Sequence, residues 1–181
     1  MSGRKFIFIA IAACLAISLG APVGRADAQR EYQLKAAFIY NFVQFVDWPV
    51  GAFEDARSPI VLATVGEDPF QGALDRAIGG KKVGGRPLVV KHFAKGLDVK
   101  GCQLIFIPEG QEEQFAVALQ TLGNAPVLTV GETEGFAREG GMIRFYEEDN
   151  RLRFEINPNA AQKVGLRISS RLLKLARVRQ G

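Results

Sequence analysis

The stretch IVLATVGEDPFQGALDRAIGGKKVGGRPLVVKHF, residues 60–93, decides the fold. Its first six residues are apolar except Thr64, the pattern of a strand buried on both faces. Gly66-Glu67-Asp68-Pro69 turns the chain. Asp68 suits a helix N-cap and Pro69 a first helical position, which predicts a short helix over 70–78. GGKKVGG, residues 79–85, reads as a flexible loop, and residues 87–93 as a second strand.

Downstream the alternation continues. Residues 103–107 predict a third strand, 112–122 a helix, and 127–130 a fourth strand ending at Gly131. This order predicts a mostly parallel sheet with helices on its faces. The period then changes. Residues 142–146 and 152–156 flank Glu147-Glu148-Asp149-Asn150, and Leu152, Phe154 and Ile156 alternate with Arg151, Arg153 and Glu155. That pattern is an antiparallel hairpin with one wet face. The expected architecture is a three-layer α/β sandwich, with a mostly parallel sheet, a C-terminal antiparallel hairpin and terminal helices.

Upstream, residues 29–48 predict a helix. Leu34, Phe38, Phe42 and Phe45 form one apolar row, and Ala36, Ile39, Tyr40, Val43 and Val46 cover neighbouring faces. Only Gln33, Asn41 and Gln44 leave a polar stripe, so the helix is either buried on several sides or meets another chain. Tyr40 and Phe45 are the candidate interface residues. Trp48-Pro49 ends the helix, because a residue before proline disfavours helical geometry.

The extreme N-terminus reads as an export signal. MSGRK is a short basic region, residues 6–20 are apolar, and Ala26-Asp27-Ala28 offers a cleavage site before Gln29. Two rivals are a membrane anchor and lipid attachment at Cys14. The apolar run is shorter than the roughly 20 residues that span a bilayer. The chain divides into a signal peptide, 1–28, and a single domain, 29–181, with a periplasmic location expected. The mature part holds 153 residues, 20 basic and 18 acidic, a net charge of +2. The chain's pI of 9.2 thus partly reflects the signal. That balance gives no reason to expect a nucleic-acid partner. Cys102 is the one cysteine left, so no intramolecular disulfide can form. It is read as a small buried hydrophobe, with a disulfide across a dimer as the alternative.

NPNAAQKVGLRISSRLLKLARV, residues 157–178, holds five basic residues and no acidic one. Asn157 and Pro158 start one helix, Gly165 stops it, and Ser169 caps a second over 170–178. Leu172, Leu173, Leu175 and Ala176 are expected in the core, against the hairpin's apolar face. Arg171 and Lys174 lie on the solvated side and are candidates for docking.

The search for chemistry returns little. His92 is the single histidine, set in a strand and read as structural. One histidine and one cysteine do not make a zinc site. No nucleophile elbow, dinucleotide fingerprint or phosphate-binding loop occurs. No catalytic, metal or cofactor-binding residue is assigned. The third strand ends Ile107-Pro108-Glu109, without the aspartate a phosphorylated receiver domain needs. What remains is the carboxyl edge of the sheet, where open α/β folds bind ligands. Gly66, Glu67, Asp68, Gly131 and Thr133 mark a candidate ligand pocket there, although glycines serve tight turns equally well.

Six blocks, YQLKAAFIYNFVQFVDWP, VGEDPF, GRPLVVKHF, CQLIFIP, VLTVGETEGFAREGGMIRFYEEDNRLRFEIN and AAQKVGLRISSRLLKLARV, occur in an order that resembles the YfiR-like family of exported bacterial proteins. The resemblance covers nearly the whole mature chain. It implies an α/β sandwich and a periplasmic regulator, often dimeric. Such a regulator binds the periplasmic sensor domain of an inner-membrane diguanylate cyclase and keeps it inactive. Its release raises cyclic di-GMP and promotes biofilm formation. An outer-membrane lipoprotein can sequester it. Redox-controlled members are richer in cysteine, and this chain departs from them. A small-ligand sensor or carrier using the sheet's carboxyl edge is the alternative.

Overall fold

The computed structural model describes residues 23–179. The apolar stretch 6–20 and Cys14, which carry the export reading, lie outside the described residues. Helix α1 (Val23–Gln44) leads into β1 (Val46–Asp47). Residues 60–93 fold as β2 (Ile60–Val65), α2 (Ala73–Ile78), β3 (Lys82–Val83) and β4 (Arg86–Phe93). Then follow β5 (Leu104–Ile107), α3 (Glu112–Leu122), β6 (Leu128–Gly131) and the hairpin β7 (Ile143–Glu148) and β8 (Arg151–Ile156). The tail is α4 (Pro158–Lys163), β9 (Arg167–Ile168), α5 (Ser170–Leu173) and β10 (Arg177–Val178).

One eight-stranded sheet runs β10-β8-β7-β6-β5-β2-β4-β3. All pairs are parallel except β7 with β8 and β3 with β4. Every residue of β2, β5 and β6 is buried, which is why these strands read as near-continuous apolar runs, broken only by the buried Thr64 and Thr129 and by the closing Gly131. One face is covered by α1, α2 and the tail, around Phe42, Phe70, Phe106 and Phe145. The other is covered by α3 and the loops beside it, around Ile105, Phe115 and Phe136. Burying each such side chain stabilises the fold by roughly 1.5–3 kcal/mol.

The structure moves several predicted boundaries. The first helix stops at Gln44 and not at Trp48. Val46 and Asp47 pair instead with Ile168 and Arg167, and Ser169 N donates to the Phe45 carbonyl at 2.9 Å. Helix α2 begins at Ala73 and not at Phe70. Asp68 does cap a turn, its Oδ1 accepting from Phe70 N at 3.1 Å, but Gln71 and Gly72 then take positive φ and break the helical path. That detour lets Phe70 point fully into the core. Residues 82 and 83 of the expected flexible loop form β3.

The second tail helix is a single turn, Ser170–Leu173. Arg177 and Val178 leave it to pair with Glu155 and Ile156 of β8. Arg177 Nη2 reaches Glu148 Oε1 at 2.5 Å, and Arg179 Nε reaches Glu155 Oε2 at 2.6 Å. Leu172 is core, as expected, and Leu173 is half-buried. Leu175 is not core: it is 72 % exposed, because the chain has already turned towards the sheet edge.

Candidate functional site

At the carboxyl ends of β5 and β6 the chain places a closed network of charges. Glu132 follows the last residue of β6, and Glu109 lies two residues past β5. Lys35 of α1 is 5 % exposed and aims its ammonium at this point. It pairs with Glu132 Oε1 and, at 2.5 Å, with Glu31 Oε1. The other Glu132 oxygen accepts from the Tyr32 hydroxyl and from Glu109 N, both at 3.1 Å. Arg144 Nε donates to the Glu132 carbonyl at 3.3 Å. Lys35 also lies 4.3 Å above the Tyr32 ring. Burial, then the charge and hydrogen bond of Glu132, with Glu31 and Glu109 adding less, push the Tyr32 hydroxyl well above its ordinary range. A cavity of about 340 Å³ remains beside this network.

An isolated buried ammonium would be very unfavourable, so its two carboxylate partners are what make the position tolerable. Lys35 is the only charged residue between 34 and 46. That lone charge in an apolar helix is the signal that could have found the site. Glu132 stands between Gly131 and Thr133, the two residues the strand-end pattern marks, whereas Lys35, Tyr32 and Arg144 carry no strand-end signal.

The marked residues have other neighbours. Gly66 has φ +86°, and a Cβ there would lie 2.5 Å from the Gln111 side chain. A Cβ on Gly131 would lie 2.4 Å from the Phe136 ring, which stacks on Phe115 at 4.2 Å between centroids. The chain's own side chains therefore take the space beside both glycines. The Thr133 carbonyl accepts from Phe136 N at 3.1 Å, and Glu67 is exposed. Asp68 is brought to His92. His92 Nδ1 lies 2.6 Å from Thr64 Oγ1 and 3.8 Å from Asp68 Oδ2, while Nε2 lies 3.8 Å from Asp75 Oδ2. The histidine is exposed, in a polar surface cluster.

Of the candidate interface residues, Tyr40 is half-buried with the Lys81 ammonium 4.0 Å over its ring. Phe45 is half-buried and packs on the core. Arg171 and Lys174 are exposed. The outward side of α1 is formed by Gln33, Leu34, Ala37, Asn41 and Gln44. Cys102 is buried, as expected, and burial pushes its thiol up to about 11.

The opposite, amino end of the sheet carries a cavity of about 720 Å³ between α3, α4 and the loop before β7. Leu119, Leu122, Met142 and Val164 give it an apolar wall. Arg138 and Lys163 are its only charged lining residues, and both are cationic.

The family described as YfiR/HmsC-like matches residues 32–177. Among curated proteins none matches the chain. Solved structures share the fold, among them the following two. A conserved domain protein from Vibrio cholerae O1 biovar El Tor superposes with a TM-score of 0.56 at 11 % identity, over 82 % of this chain and 60 % of that one. An ABC domain in complex with L-Trp from Streptococcus pneumonia superposes with a TM-score of 0.54 at 10 % identity, over 81 % of this chain and 59 % of that one. This chain thus spans about 60 % of the length of those structures. At such identities the likeness is one of fold alone.

Proposed function

The chain belongs to the YfiR/HmsC-like family of periplasmic regulators of cyclic di-GMP signalling, and from that premise we propose that it represses an inner-membrane diguanylate cyclase by binding the cyclase's periplasmic sensor domain. The observation that carries this reading is the family match across residues 32–177, nearly all of the expected mature domain. The site geometry supports it. The crevice where an open α/β sheet takes a substrate holds Lys35 and Glu132, side chains fixed by each other. Such a network anchors a helix. The same reading brings a homodimer, and an outer-membrane lipoprotein as the partner that sequesters the regulator.

The test is made in the source bacterium. Deleting the gene should raise cyclic di-GMP and biofilm, and supplying the protein should restore both. Tagged protein should recover a diguanylate cyclase from membrane extract. Unchanged cyclic di-GMP on deletion defeats the reading.

A second reading, small-ligand sensing, is favoured by the amino-end cavity. An apolar wall facing two cations suits a small organic anion with an apolar part. The carboxyl edge, where the sequence pattern marks a pocket, keeps a smaller cavity of about 340 Å³ among charged side chains, so the roomier amino-end cavity of about 720 Å³ is the one to test first. Thermal stabilisation by a panel of such anions, lost in Arg138→Glu with Lys163→Glu, would support it. A flat response across the panel counts against it.

A further inference from the structure

β4 is the last long strand on its side of the sheet. Its inner edge pairs with β2 over residues 88–93. On its outer side β3 reaches only Arg86 and Pro87, and Leu88 N donates to the Lys81 carbonyl at 3.3 Å. Along residues 89–93 the backbone groups of Val89, Lys91 and Phe93 face β2, and those of Val90 and His92 face outward without a strand partner, spaced for another strand. Val89 is 38 % exposed, and Lys91 and His92 are exposed.

The strand and its flanks carry charged side chains of one sign. Residues 81–95 contain Lys81, Lys82, Arg86, Lys91 and Lys95 and no carboxylate. Lys81 lies over Tyr40. Arg86 lies over Phe53 and donates to the carbonyls of Asp55 and Ser58, each at 2.8 Å. Among the described residues no salt bridge engages Lys82, Lys91 or Lys95. The acidic groups close by, Asp68 and Asp75, face His92.

Charge decides between occupants. A second copy would set Lys91 and its basic neighbours against the same residues, and like charges opposed across strands repel. An acidic strand gains both the backbone bonds and the ion pairs. We infer that the free edge of β4, residues 89–93, takes up an extended acidic segment of another protein as an added strand. The inference rests on the regulatory reading only for which protein supplies that segment.

The probe is an eight-residue peptide of alternating glutamate and valine, added to the purified protein while amide exchange is followed residue by residue. Controls are the same peptide N-methylated at alternate amides, and one with lysine for glutamate. The acidic peptide should slow exchange at Val90 and His92, the outward-facing amides, and its binding should weaken about tenfold between low and moderate salt. Both controls should fail. Lys82→Glu with Lys91→Glu should leave melting unchanged and weaken binding about tenfold. If that variant misfolds, the N-methylated control still decides. Unchanged exchange at Val90 and His92, or equal binding of either control, overturns the inference. So does protection of Val90 and His92 that appears without peptide as protein concentration rises, which would make a second copy the occupant. Repression of cyclic di-GMP is read separately. A failed peptide with repression intact removes this edge and leaves the regulatory role standing.

Discussion

The two ends of the parallel strands are built on opposite plans. At the carboxyl end, charges face charges: Lys35 meets Glu132 and Glu31, and α1 is held down on the sheet. At the amino end, Arg138 and Lys163 share a roomy cavity with apolar residues and no carboxylate. Open α/β sheets usually bind ligands at the first of these places. Here that place anchors the N-terminal helix and keeps a cavity of about 340 Å³, while the roomier one, about 720 Å³, lies at the second. A fold rule about where sites occur is a rule about vacant strand ends, and a chain can occupy the vacancy itself.

The comparison can be broken most severely at its charged end. Glu132→Ala leaves Lys35 with one half-exposed partner and should cost about 3–5 kcal/mol in urea denaturation. Replacing both residues, Lys35→Met with Glu132→Leu, should recover most of that loss, because an apolar pair removes the buried charges together. A single-variant loss below about 1 kcal/mol would place the pair with surface ion pairs and remove the contrast.

The next effect tests the tail. Leu172→Ala should lower stability by about 2–5 kcal/mol, as a core truncation does. Leu175→Ala, three residues on but exposed, should stay within about 0.5 kcal/mol. Equal losses would mean that the tail packs as a continuous helix after all.

Cys102 gives a smaller effect with a defined pH window. Its thiol is raised from 9.0 to about 11 by burial, so between those values the folded chain holds a proton that the unfolded chain has lost. Stability is therefore unaffected by this group below pH 9 and declines from there towards pH 11. Cys102→Ala should remove that part of the slope in denaturation curves taken across the window. Native thiol labelling at neutral pH should be slow and follow unfolding.

The smallest change in stability is expected at the open end. Arg138→Glu with Lys163→Glu should alter stability by no more than about 0.5 kcal/mol. Its effect belongs to anion binding. A large loss of stability would show that these cations hold the fold together, and the two ends would then be alike.

The sequence announced the parts of this structure whose cause is local. The apolar run at 60–65, the helix at 112–122 and the alternation at 152–156 are each fixed by burial along one short segment. Asn157 capped its helix as read, its Oδ1 accepting from Ala160 N at 3.0 Å. The misread boundaries have distant causes. Helix α1 ends where Val46 meets Ile168, and the last helix ends where Arg177 finds Glu155 across the sheet edge. The charged site was half legible, since the strand ends were marked but the lysine that fills them lies on α1. No short window of sequence contains both Lys35 and Glu132.

That separation has a consequence for the order in which the chain can assemble. Lys35 and Glu132 stand 97 residues apart, and Phe42 stacks on Phe145 still further along. A chain emerging from its N-terminus can cover the Tyr32 side of α1 early, with Phe70 and α2, but acquires the cover for Phe38 and Phe42 late. Loop closure over such a distance is entropically unfavourable, so contacts of this kind form slowly. The strand–helix–strand unit at 60–93 can associate long before. Helix α1, made before every element it packs on, is therefore fully locked only late. Until residues 132–154 have been made, its phenylalanines are the surface a chaperone would find.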